Sequence, residues 1–132
     1  MQLRFLTLRV VDATRSRRFY EALGLGPARG DATDLPMLDA GGVRLVLATD
    51  AALQAHAPPL SGPGGSVLVS LNVGAAAAVD TAHAAGLAAG GSDLRPPHEP
   101  AWGGRAAWLR DPDGHAIEVV WNPRLDDGMT KV

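Results

Sequence analysis

Cysteine is absent from the 132 residues. That excludes a disulfide scaffold, a thiolate-ligated zinc, an iron–sulfur cluster and a cysteine nucleophile. Lysine occurs once, at Lys131, so arginine carries nearly all the positive charge. There is no excess of it: 12 basic against 14 acidic residues leave a net charge of −2. Such a chain has no field to hold a polyanion, and nucleic acid is not an expected partner. Long apolar runs are missing too. Arg4 interrupts the N-terminal stretch, and the apolar segment 74–90 carries Asp80, Thr81 and His83. Neither a signal peptide nor a membrane span is expected, and a cytoplasmic protein is the default. Aromatic residues are few, and Trp102, Trp108 and Trp121 all fall in the last third of the chain.

What is present suits a packed domain: 46% of the residues are hydrophobic, enough for an interior. Alternation over 3–11 predicts a strand with Leu6, Leu8 and Val10 on one face and Phe5, Thr7 and Arg9 on the other. Asp12 is the expected N-cap of a helix over 13–23, with Phe19, Tyr20 and Leu23 inward and Gly24 ending it. After a turn-rich stretch, strands are expected at 35–38 and 43–47, joined by a hairpin at Asp39-Ala40-Gly41-Gly42. Residues 50–65 read as a linker with one short helix. The order then restarts. A strand is expected at 66–73, a helix at 75–85 capped by Gly86, a weak strand at 92–95 and a proline-rich loop at 96–104. Two further strands, 105–110 and 115–121, flank Asp111-Pro112-Asp113-Gly114, which fits a type I turn with a G1 bulge.

Self-alignment supports a duplication. Phe5–Val10 matches Leu68–Val73 at an offset of 63, Ala22–Leu25 matches Ala84–Leu87 at 62, and Asp39–Gly42 matches Asp111–Gly114 at 72. The expected layout is module 1 over about 1–49, the linker, module 2 over about 66–123 and a tail over 124–132.

Phe19-Tyr20-Glu21-Ala22-Leu23-Gly24 after a strand, and Leu109-Arg110-Asp111-Pro112-Asp113-Gly114-His115-Ala116-Ile117-Glu118 near the end, resemble the vicinal oxygen chelate superfamily. This group includes glyoxalase I, bleomycin-resistance proteins and extradiol dioxygenases. The resemblance spans about residues 3–123. It implies an α+β fold: two tandem βαβββ modules forming a curved mixed sheet around a cleft, often completed in a homodimer. The fold serves lyases, dioxygenases and plain binding proteins, so it leaves the chemistry open.

Metal-dependent relatives place ligands at two positions per module. Carried over through the motif and the repeat offsets, these fall on Phe5, Val46, Leu68 and Glu118. Only the glutamate has lone pairs to offer, whereas a catalytic divalent site needs about three protein ligands. No metal and no other cofactor is expected. Among the histidines, His115 reads as a turn residue and His98 as a loop residue able to roof the cleft. His56 and His83 have no nearby carboxylate pattern.

Strand parity gives the expected ligand face: Phe5, Thr7, Val46, Leu68, Ser70 and Trp108, with Trp102 above it on its loop. The hairpin turn should set Trp108 opposite Glu118, and Trp121 should lie under a helix. For Glu118 two readings stay open. It pairs with Arg9 or Arg44, or it is a carboxylate in an apolar pocket that acts as a base or grips a cation. The expected function is binding of a small aromatic or cationic molecule without a family-type metal. The alternatives are a metal-dependent lyase, isomerase or dioxygenase, and a metal-free enzyme with Glu118 as base.

Overall fold

The computed structural model describes residues 2–54 and 67–124. It divides into two compact units, Met1–Ser66 and Val67–Val132, here module 1 and module 2. The expected linker and tail fall mostly outside the described residues, as does His56. No helix among the described residues is long and apolar enough to cross a membrane.

Module 1 comprises β1 (Phe5–Arg9), α1 (Ala13–Ala22), β2 (Gly26–Pro27), β3 (Met37–Asp39) and β4 (Arg44–Ala48), followed by the short α2 (Asp50–Leu53). Its sheet runs β1-β4-β3-β2. β1 and β4 are parallel, with Phe5 beside Arg44 and Thr7 beside Val46. The other pairs are antiparallel. Asp12 caps α1 as expected, its carboxylate accepting the Arg15 N–H at 3.0 Å. The helix buries Phe19 and Tyr20 completely. Their rings meet edge to face at 4.9 Å.

Module 2 repeats the plan with β5 (Leu68–Asn72), α3 (Ala76–Ala88), β6 (Ser92–His98), β7 (Arg105–Arg110) and β8 (Ala116–Trp121). The sheet runs β5-β8-β7-β6. Here Leu68 lies beside Ala116 and Ser70 beside Glu118. The pairs Thr7–Val46 and Ser70–Glu118 are therefore equivalent, at the offsets of 63 and 72 read from the sequence. The result is an α+β fold of two four-stranded mixed sheets, each βαβββ.

Three local expectations need correction. Gly86 does not cap the second helix; it is buried in its interior. The stop is Gly90, at φ +100°, followed by Gly91, whose N–H reaches the Gly86 carbonyl at 2.9 Å. Gly24 ends α1 by the same device, at φ +107°, with the Leu25 N–H on the Tyr20 carbonyl at 3.1 Å. Both are left-handed glycine stops, and α3 ends three residues later than expected, at Ala88. Next, Asp39 pairs with Arg44 while Arg110 pairs with Ala116. Asp39 is thus the counterpart of Arg110, not of Asp111. The second hairpin has one extra residue, taken up at its tip, where Gly114 sits at φ +90°. Finally, Pro96, Pro97 and His98 belong to β6, not to a loop. β6 is an edge strand with two register shifts. An edge tolerates proline because its outer N–H positions need no partner. The imidazole Nδ1–H of His98 donates to the Pro96 carbonyl at 3.0 Å.

A half-buried ion pair ties elements together in each module. In module 1 the Arg17 guanidinium holds Asp31, which also accepts the Met37 N–H at 2.9 Å. Chiefly through the Arg17 hydrogen bond, the Asp31 carboxyl is lowered to about 2. A carboxyl depressed in the folded state contributes stability above its ordinary pKa, and the contribution is lost as pH falls through the folded value. Wild type should therefore lose thermal stability between about pH 4 and pH 2 more steeply than Asp31→Asn, which lacks the titrating group. At pH 7 the variant should be about 1–3 kcal/mol less stable. Parallel melting curves flat in the difference across that window would refute this. In module 2, Arg105 grips Asp80 of α3 through two bonds of 2.6 and 2.7 Å, which holds that carboxyl below its usual range.

Candidate functional site

Helix-facing residues of β1 and β5 are the more buried, and the alternate set is exposed. Leu8 and Val69 are buried, whereas Phe5, Thr7, Leu68 and Ser70 are exposed. Period-two alternation with one covered face produces this division. Each sheet thus offers one open face, and the expected site residues on β1, β5, β7 and β8 lie on those faces. β4 departs from this division: Leu45 to Ala48 are all buried, and the expected ligand-face residue Val46 is only 6% exposed.

In module 2 three of these residues form a row across adjacent strands. Ser70 on β5 lies beside Glu118 on β8, and Glu118 lies opposite Trp108 on β7. The last pairing follows from the turn. Asp111 is buried and accepts the N–H groups of Asp113 and His115 at 2.9 and 2.8 Å. Its own N–H bonds the His115 carbonyl at 2.9 Å, which fixes the hairpin register. The Ser70 hydroxyl donates to Glu118 Oε1 at 2.8 Å. Trp108 and Glu118 are half-buried, and Leu68, 46% exposed, extends the row along β5.

Trp102 lies elsewhere. It is 44% exposed on the β6–β7 loop, its ring folded over Gly104. Gly104 precedes Arg105, which pairs with Trp121. That point is three residue pairs from Trp108, about 10 Å along the strand. Trp121 shares the β8 face of Ile117 and Val119 and is half-buried.

The arginines proposed as partners for Glu118 are engaged within module 1. Arg9 bonds Asp50 at 2.7 Å, and the Arg44 guanidinium lies over the Phe5 ring, 5.3 Å from its centroid. His83 was expected to lack a carboxylate neighbour. It is buried, and its Nε2 lies 2.7 Å from Asp93 on β6. The two residues stand ten apart with a helix end between them, so no local spacing could signal the pair.

Sequence reasoning also missed a pocket of about 530 Å³ in module 1. Its lining includes Arg4, Phe5, Arg29, Asp39, Gly42 and Arg44. Arg29 follows β2, whose two residues are too few to show any periodicity. An uneven arginine count was the available signal. Residues 1–66 hold seven of the 11 arginines.

A tandem pair of βαβββ modules, each with an open sheet face, defines a class of small-molecule-binding and enzymatic folds. The family model for the Glyoxalase/Bleomycin resistance protein/Dioxygenase superfamily matches residues 2–119, and the chain belongs to that superfamily. Its structure is similar to a glyoxalase-related enzyme from Fulvimarina pelagi, at 32% identity and a TM-score of 0.78, covering 93% of this chain and 89% of that one. A glyoxalase/bleomycin resistance protein/dioxygenase family enzyme from Burkholderia phytofirmans PsJN shares the fold at 19% identity and a TM-score of 0.76, covering 92% and 98%. So does a lactoylglutathione lyase from Agrobacterium tumefaciens, at 20% identity and 0.67, covering 92% and 93%. No curated protein matches the chain.

The metal positions implied by the superfamily do not fit a metal here. Phe5, Val46 and Leu68 carry no donor atoms, and one Glu118 oxygen is held by Ser70. Among the described residues no three His, Asp or Glu side chains converge.

Proposed function

We propose that this superfamily member binds a small aromatic or cationic molecule on the open face of module 2, without the superfamily's metal. The observation that carries this reading is the row Ser70–Glu118–Trp108. The Glu118 carboxyl has two acceptor oxygens, and the Ser70 hydroxyl engages Oε1. Beside it lies an indole, whose face attracts a planar ring or a positive charge. Leu68 adds apolar area. A mostly apolar surface with a few placed polar groups is the usual make-up of a small-molecule site.

The probe is 1-methylquinolinium, a planar aromatic cation, titrated into the full chain while tryptophan fluorescence is followed. Saturable quenching is expected. Trp108→Phe should abolish most of it, and Glu118→Gln should weaken affinity about tenfold, equivalent to about 1.4 kcal/mol. The absence of saturable quenching, or quenching unchanged in both variants, would overturn the proposal.

A further inference from the structure

Module 1 carries a second constellation, opposite in charge to the first. Arg4, Arg29 and Arg44 line the same pocket with one carboxylate, Asp39. The carboxylate already accepts the Gly41 N–H at 2.9 Å and so braces its own hairpin. The backbone anchors two of the arginines side by side, since the Arg44 N–H donates to the Arg4 carbonyl at 2.8 Å. Arg44 is steadied over the Phe5 ring, which engages the guanidinium face and leaves its N–H edge for hydrogen bonds. Among the described residues, neither Arg4 nor Arg29 makes an ion pair.

Three cations in one concavity repel each other, and the fold does not require them. The duplication shows this directly: the counterparts of Arg4, Phe5 and Arg44 in module 2 are Val67, Leu68 and Ala116. The same strands in the same register are built there without a charge at any of these three positions. The arginines therefore serve something other than the sheet. Guanidinium forks match carboxylate and phosphate oxygens with two parallel hydrogen bonds. The pocket volume lies within the range of small-molecule sites, about 300–1,000 Å³. Phe5, 48% exposed, supplies an apolar wall.

We infer that this pocket binds a small organic oxyanion, a carboxylate or phosphate ester whose body packs on Phe5. The pocket is lined by module 1 residues alone, and the inference does not depend on the reading of module 2. Carboxylate and phosphate share the chemistry, so benzoate and phenyl phosphate are both titrated into the full, isotope-labelled chain, with amide shifts followed by NMR. Saturable shifts are expected at Arg4, Phe5, Gly42, Val43 and Arg44 with at least one probe, and the tighter probe identifies the head group. Arg29→Gln and Arg44→Gln should each weaken binding about tenfold. Arg95→Gln, an exposed arginine of module 2, removes the same charge and should leave binding unchanged. The inference is overturned if neither probe saturates, if benzylamine shifts the same amides as strongly, or if Arg95→Gln weakens binding as much as the pocket variants. Amide spectra of the free variants establish that each is folded.

Discussion

Phe19→Ala should unfold the chain at a markedly lower urea concentration, with a loss of about 3–5 kcal/mol. Phe19 is fully buried, so the truncation removes a ring's worth of transfer energy and leaves a cavity. It also removes the edge-to-face contact with Tyr20, worth about 0.5–1.5 kcal/mol. Domains of this size have about 5–15 kcal/mol in total, so the variant should be near the limit of folding. Phe19→Leu keeps most of the volume and should cost clearly less. Circular dichroism is the right probe, because all three tryptophans lie in module 2. A loss under about 1 kcal/mol for Phe19→Ala would mean that α1 is not clamped to its sheet as described.

Gly104→Ala should be the second most damaging change, costing about 2–4 kcal/mol. Two effects combine. The residue sits at φ +93°, where a side chain is strained. In addition, a Cβ would lie 2.5 Å from the Trp102 ring and 2.5 Å from the Trp121 carbonyl oxygen. The ring can swing away, but the oxygen is backbone of β8. Gly103→Ala separates the two effects. Gly103 has φ +85°, but nothing lies within 4 Å of its missing Cβ. It should show only the backbone penalty, about 1–2 kcal/mol. Equal losses in the two variants, measured by urea unfolding, would show that the close approach at Gly104 is unimportant. The fluorescence of Gly104→Ala should also shift to the red as Trp102 is driven outward.

Much of the scaffold was legible because short-range chemistry fixes it. Asp12 announces a helix start, and Asp111-Pro112-Asp113-Gly114 specifies a turn whose geometry sets Trp108 opposite Glu118. Strand alternation separated the open faces from the covered ones. The misreadings share a different cause. α3 is so rich in alanine that its apolar positions show no stripe, and glycine occurs at 86, 90 and 91; only backbone conformation distinguishes Gly86 from Gly90. Prolines at 96 and 97 suggest a loop unless the strand is known to be an edge. The His83–Asp93 pair and the arginine pocket join residues from separate elements, and no local pattern records them.

The single-residue difference between the two hairpins has a consequence for how such a chain can change. Length variation is absorbed at the tip of the loop, while the paired strands keep their register and their faces. Insertions there would alter reach without turning any side chain over. The two sheets can then diversify their open faces independently, as a gene duplication allows. One copy has accumulated arginine and the other a carboxylate beside an indole. A laboratory chimera that exchanges only the hairpin tips should keep the register of both sheets, while in module 1 it replaces Gly42 and Val43 of the pocket lining.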